Sequence, residues 1–128
     1  MLQLRTFLAV NALVGLAFGV VLVAAPSLLI QLYGIPGGVG AELFARLVGA
    51  ELLGLNVPTW LARRNPEGEG AALVVLGHAF SETFGFAVSL GAAIAHVGNA
   101  MVWSVVAIYA AFSAGSLYFI FAKRVRIA

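Results

Sequence analysis

Hydrophobic side chains dominate four long stretches of this chain, and short polar or turn-rich segments separate the stretches. The stretches cover about residues 7–30, 39–62, 71–95 and 100–122. Each reaches the roughly 20 apolar residues that a helix needs to cross a bilayer. The apolar runs are continuous, whereas the strands of a membrane barrel alternate over about 10 residues. The pattern therefore predicts four membrane-spanning helices.

Three short connections join the predicted helices. The first contains the turn-rich sequence from Tyr33 to Gly38, the second spans residues 63–70, and the third lies around residues 96–99. Connections this short place consecutive helices antiparallel. We therefore expect an all-α fold, an integral membrane four-helix up-down-up-down bundle that forms a single domain over residues 1–128.

Composition places the chain in a membrane, because 62% of its residues are hydrophobic and only 9% are charged. A soluble domain needs more polar surface than this. By the positive-inside rule, the basic residues outside the apolar cores predict that the N and C termini are both cytoplasmic. These residues are Arg5, Arg63, Arg64, Lys123, Arg124 and Arg126. We expect a multi-pass protein of the inner (plasma) membrane, surrounded by lipid and with no nucleic-acid partner.

Small and weakly polar residues predict which helix faces pack, because lipid gives helices no hydrophobic reason to associate. The predicted packing residues are Asn11, Gly15, Gly19, Gly85 and Ser89, which within each helix are spaced four residues apart. On the last helix, the same reasoning predicts an inward face made of Ser104, Ala107, Ala111, Ala114 and Tyr118.

Ionisable and amide side chains inside the second and third stretches form a predicted intramembrane polar cluster. Its members are Glu42, Arg46, Glu51, Asn56, His78 and Glu82. A charge at bilayer depth costs at least about 2.5–3.5 kcal/mol on insertion scales, so these groups need partners or a function. Two pairs have the four-residue spacing of helical neighbours, Glu42 with Arg46 and His78 with Glu82.

Glu51 lies on the opposite side of its helix from Arg46, at about 100° per residue. A helix with polar groups on two sides is expected to be central in the bundle or shared with a partner subunit. Pro58 follows one turn after Gly54 and cannot donate to its carbonyl, so a kink is expected there, with the side chain of Thr59 or Asn56 as the replacement donor.

Three interpretations of the polar cluster stay open from the residues alone. In the first, the paired charges fix the register of the bundle and Glu51 is a neutral acid. In the second, Glu51 and Glu82 are proton acceptors of a site for a small ligand or ion, with Arg46 facing an anionic group. In the third, His78 or His96 ligates a metal or pigment. The sequence predicts no metal and no cofactor, and a haem, a chlorophyll-type pigment or a quinone is the alternative.

Known catalytic motifs are absent from the sequence, which contains no HExxH, GxSxG, P-loop or GxGxxG pattern and no Asp or Cys. No catalytic residue is predicted, and we do not expect an enzyme.

Residues 25–55, which read APSLLIQLYGIPGGVGAELFARLVGAELLGL, resemble small bacterial membrane proteins of the DoxX-like and DUF4345-type families. The matching elements are a proline late in the first helix, a Tyr-Gly exit and an ARLxGAxLLGL motif that contains Arg46. The resemblance implies a four-helix bacterial inner-membrane protein, often an accessory partner of a redox or quinone-linked system.

Two functions are expected from these observations. The leading one is a non-catalytic accessory or scaffold subunit of a larger membrane complex. The alternative is a small proton-coupled carrier or channel that acts as a homo-oligomer and uses intramembrane carboxylates. Its partners would then be other membrane subunits or further copies of the same chain.

Overall fold

The computed structural model describes residues 3–122, which form five helices joined by turns and contain no strand. The helices are α1 (Leu4–Ala24), α2 (Pro26–Leu32), α3 (Val39–Ala62), α4 (Glu69–Ile94) and α5 (Val102–Phe121). This confirms the all-helical prediction. Within this range α1, α4 and α5 are long and apolar enough to cross a membrane, whereas α3 is equally long but more polar. Lys123, Arg124 and Arg126, on which the predicted orientation partly depends, lie outside the described residues.

The first predicted segment, about residues 7–30, is two helices. α1 ends at Ala24, and Ala25 leaves the helical region with φ −145° and ψ 64°. The residue before a proline is driven away from helical backbone, and the proline itself suits the first turn of a new helix. Pro26 therefore starts α2 instead of merely bending α1.

Two helix pairs build the molecule, α1 packed along α3 and α4 packed along α5. In the first pair, a Cβ on Gly49 would lie 2.9 Å from the carbonyl oxygen of Gly19, so the two backbones are in direct contact. In the second pair, Gly85 makes room for the ring of Tyr109. Such close approach at small residues is what allows helices to associate in lipid.

Two apolar clusters join the helix pairs, one at each end of the bundle. The Phe7 cluster consists of Phe7, Leu8, Ala71, Val75 and Phe119. The Tyr33 cluster consists of Tyr33, Ala93, Val102 and Val106. Over the described residues, the two helix pairs contact each other far less than the helices within each pair do.

The loop between α4 and α5 fixes the position of Tyr33. The backbone N–H of Asn99 donates to the Tyr33 carbonyl at 2.8 Å, and its side-chain amide donates to the Leu32 carbonyl at 2.9 Å. Gly98, at φ +75°, lies so close to the Tyr33 carbonyl that no side chain would fit. These bonds hold the end of α2 against the loop between α4 and α5.

Candidate functional site

The side chain of Glu82 is the centre of a hydrogen-bonded group in which three helices meet. The residue is 4% exposed, and its carboxyl group accepts bonds through both oxygens. His78 Nδ1 lies 3.0 Å from Oε1, which also accepts from the Asn11 amide. Ser116 donates to Oε2 at 2.6 Å. A buried carboxyl needs such partners, and here α1, α4 and α5 each supply one.

Thr59 extends this group to α3 and determines where the protons on His78 sit. Its hydroxyl donates to the Leu55 carbonyl at 2.7 Å and lies 2.8 Å from His78 Nε2. A hydroxyl has one hydrogen to give, so Thr59 accepts from Nε2, which must be protonated. The 3.0 Å contact between His78 Nδ1 and Glu82 Oε1 needs one further proton, which can lie on either atom. The pair of side chains has zero net charge whether this proton is on the nitrogen or on the oxygen. We call Asn11, Thr59, His78, Glu82 and Ser116 the Glu82 unit.

Asn56 lies beside the Glu82 unit with an unsatisfied acceptor. Its Nδ2 donates to the Leu52 carbonyl at 2.8 Å, whereas Oδ1 has no hydrogen-bond partner among residues 3–122. The residue is 1% exposed, and its amide packs against Gly15. An unsatisfied buried acceptor costs about 1–3 kcal/mol, so it calls for a reason.

A cavity of about 470 Å³ lies between the two helix pairs and is lined by residues of both. It extends from Tyr33 at one end to Asn56 and the Glu82 unit at the other. Its walls are mainly apolar: Val14, Phe18, Leu22, Ala45, Val48, Leu52, Leu55, Val105, Ile108 and Phe112, among others. Apolar walls with a few polar groups at one place are typical of small-molecule sites.

The other predicted cluster members lie apart from the Glu82 unit. Glu42 and Arg46 form an ion pair at 3.6 Å between Oε2 and Nη1, with side chains 38% and 50% exposed. Arg46 Nε also donates to the Val23 carbonyl near the end of α1, at 3.3 Å. These charges suit the helix ends they occupy, a carboxylate in the first turn of α3 and a cation near the C-terminus of α1. The arrangement fits a structural role at these helix ends.

Glu51 is alone on the exposed face of α3. Within residues 3–122 it makes no hydrogen bond and no ion pair, although it lies near the middle of a 24-residue helix. Gly54 follows on the same face, and a Cβ there would meet no atom within 4 Å. The expectation that Asn56 or Thr59 would serve the Gly54 carbonyl is wrong, because they donate to Leu52 and Leu55.

The two histidines have different surroundings. Both ring nitrogens of His78 have protein partners, so a metal or pigment would have to displace Thr59 or Glu82. His96 lies in the loop after α4, exposed and with φ +56°. The part of the chain that the structure describes holds no group of three His, Cys, Asp or Glu side chains placed to share a metal ion.

The predicted inward face of the last helix is wrong. Ala107, Ala111, Ala114 and Tyr118 are exposed on α5, while Ser113 and Ser116 are buried. Ser113 lies 2.8 Å from the Thr83 hydroxyl, and Ser116 belongs to the Glu82 unit. Sequence reasoning missed Ser116 and the contact of Thr59 with His78. The signal that could have predicted the buried face of α5 is the three-residue spacing of Ser113 and Ser116. Serine hydroxyls need hydrogen-bond partners inside a membrane protein, whereas alanines can face lipid without cost.

Comparison with family models, curated proteins and solved structures finds no match to this chain. The similarity of residues 25–55 to the DoxX-like and DUF4345-type families therefore stays a prediction, and the function must be argued from the site itself.

Proposed function

We propose that this chain is a small intramembrane carrier that binds a neutral, largely apolar molecule in the cavity between its helix pairs. The observation that carries the proposal is the 470 Å³ cavity whose polar end contains Asn56, with an acceptor that no described residue satisfies. A ligand hydroxyl or N–H group would satisfy it after a rotation of the Asn56 amide, because Oδ1 is covered by protein although the residue lines the cavity. The proposed ligand class is therefore an apolar molecule with one hydrogen-bond donor at its end.

The charge of the Glu82 unit supports a neutral ligand. His78 and Glu82 together carry no net charge, and Asn11, Ser116 and Thr59 complete their hydrogen bonds. A ligand with a full charge would lie in low dielectric against a unit that offers no opposite charge, at a cost of several kcal/mol. Proton coupling, which the sequence left open, would require the ligand to break the bond between His78 and Glu82. We therefore propose that the Glu82 unit holds the helices around the cavity in position and does not exchange protons with the ligand.

The membrane arrangement in this proposal has four crossings, with α3 as the fourth and α2 at the membrane surface. α3 has 24 residues, about 36 Å at 1.5 Å per residue, and packs along α1. Single cysteines at Ile35 and Glu67, introduced into a chain that has none, report this directly. We expect a membrane-impermeant thiol reagent to label them from opposite sides of sealed vesicles. Labelling from the same side would contradict the fourth crossing.

Filling the cavity is the first test of the carrier. Ala45 lines the cavity on α3, so we expect Ala45→Phe to lower the affinity for a bound apolar probe at least about tenfold. The probe is an aromatic alcohol, measured by dialysis against vesicles with and without protein. The matched control is Ala107→Phe on the exposed face of α5, which should bind the probe like wild type. The proposed site would be excluded if empty vesicles retained as much probe as vesicles with wild-type protein, or if Ala45→Phe retained as much probe as wild type.

The unsatisfied acceptor predicts a chemical preference. Wild type should bind the aromatic alcohol about threefold to tenfold more tightly than its methyl ether, the effect of one net hydrogen bond. Asn56→Leu removes the acceptor while keeping a side chain of similar size, so it should bind the two probes equally. A preference that survives in Asn56→Leu would assign the hydrogen bond to another group.

The accessory-subunit function is the second candidate, and exposed Glu51 is the observation that favours it. A carboxyl group on the outer face of a membrane helix needs a protein neighbour. If that neighbour is a foreign chain, native mass spectrometry of protein extracted in mild detergent should show it at fixed stoichiometry. The inner (plasma) membrane remains the proposed location in both cases.

A further inference from the structure

Glu51 lies on a surface of α3 that remains exposed in a single copy of the chain. It is exposed, it lies near the middle of α3, and it has no partner within the described range 3–122. In the proposed arrangement with four crossings, on which this inference rests, Glu51 faces hydrocarbon. Ionisable residues within membrane helices almost always face protein or a water-filled cavity. The outer face of α3 should therefore be covered by protein.

The residues around Glu51 leave room for close contact with another helix. Gly54 lies one turn further on the same face, and Gly40 lies at the start of α3. A Cβ added at either glycine would meet no atom within 4 Å. The carbonyl of Gly54 is also the one that Pro58 cannot serve. The face thus offers a carboxyl group and, one turn away, a backbone acceptor at a residue without a side chain.

A second copy of the chain supplies what this face needs. Two copies inserted in the same direction are related by a two-fold axis along the membrane normal, which places Glu51 of each copy at the same depth. A neutral carboxyl group is both donor and acceptor. Two such groups can satisfy each other without a foreign cation, and the Gly54 carbonyls provide further acceptors beside them.

We propose that the chain forms a two-fold symmetric dimer through the outer face of α3, with the two Glu51 carboxyl groups hydrogen-bonded across the axis and Gly54 at the closest approach. The cavity is lined by a neighbouring side of α3, which carries Ala45, Val48 and Leu52, and neither Glu51 nor Gly54 lines it. Each copy therefore has its own ligand site.

Energy transfer between labelled copies in vesicles tests this dimer. A single cysteine at Glu67, exposed in the loop between α3 and α4, accepts a donor or an acceptor dye. We expect transfer for wild type, and transfer that falls as lipid dilutes the protein. Glu51→Gln keeps a donor and an acceptor and should stay within about threefold of wild-type association. Glu51→Leu should weaken association at least about tenfold, because interhelical hydrogen bonds contribute appreciably in lipid.

Gly54→Leu provides a second, independent variant. The new side chain meets open space within one copy, so the bundle should fold, but it blocks close approach of the second copy and should also weaken association at least about tenfold. Gly91→Leu is the matched control, since a Cβ at that glycine of α4 also meets nothing within 4 Å. It should associate like wild type.

Three results would overturn the dimer: a wild-type protein that is monomeric at every lipid dilution, association of Glu51→Leu equal to wild type, or a foreign subunit against α3 in the native mass spectrum. Failure of the proposed carrier can be distinguished from failure of the proposed dimer. Neither Glu51 nor Gly54 lines the cavity, so both variants should bind the aromatic alcohol normally. Lost ligand binding with intact association would exclude the carrier and leave the dimer standing.

Discussion

Replacing His78 with leucine is expected to lower the free energy of unfolding by about 3–5 kcal/mol, because the change leaves the buried carboxyl group of Glu82 without its main partner. The bond from His78 to Thr59 is lost at the same time. Equilibrium unfolding in mixed micelles, followed by circular dichroism, measures the loss. The matched control is Ser89→Ala on α4. Within residues 3–122 the buried Ser89 hydroxyl bonds only to the local Phe86 carbonyl, so this change should cost about 1 kcal/mol or less.

The double variant His78→Leu/Glu82→Leu separates pairing from simple loss of packing. Replacing both members of a buried pair with apolar residues is often far less damaging than breaking the pair. We expect the double variant to be more stable than the sum of the two single changes predicts, by about 1–3 kcal/mol. Additive losses would show that the two side chains contribute independently and that the Glu82 unit is not a unit.

Gly49→Leu should lower the free energy of unfolding by about 3 kcal/mol, at the upper part of the usual range for overpacking. The atoms in the way include the carbonyl oxygen of Gly19, 2.9 Å from the new Cβ, and the Leu22 Cβ at 2.8 Å. A backbone carbonyl cannot rotate aside as the end of a side chain can, so α1 and α3 must separate. The same micelle unfolding experiment measures the effect.

A comparison with Gly91→Leu tests that explanation. This substitution also replaces a helical glycine, but in open space, and should stabilise the protein by about 0.5–1 kcal/mol through helix propensity alone. A similar loss in both variants would mean that the cost at Gly49 comes from something other than the close crossing of the two helices.

Local sequence patterns predicted the helices well where the signal lay within one helix. The bounds of α3 match the predicted range of about residues 39–62, and the four-residue spacing brings His78 to Glu82 as expected. The break at Ala25 was missed because a proline near the end of an apolar run was read as part of one helix. A proline is equally suited to the first turn of the next.

Contacts between helices were harder to predict, because they depend on how each helix is rotated about its axis. Glu51 and Glu82 were considered together as proton acceptors of one site, yet Glu51 is exposed and Glu82 is buried. The partners Thr59 and Ser116 come from helices that lie far from His78 and Glu82 in sequence. The cavity is a gap between side chains of several helices, and no spacing along the chain encodes its volume.

If the chain is the carrier proposed above, the Phe7 cluster and the Tyr33 cluster, one at each end of the bundle, determine where its selectivity arises. Any ligand would enter sideways from the bilayer, where lipid tails already surround its apolar part. Moving that part into an apolar cavity gains little, since lipid is as apolar as leucine. Discrimination between competing membrane molecules therefore falls to shape and to the few hydrogen-bonding atoms around Asn56, while the bilayer itself acts as the reservoir that keeps the local supply of ligand high.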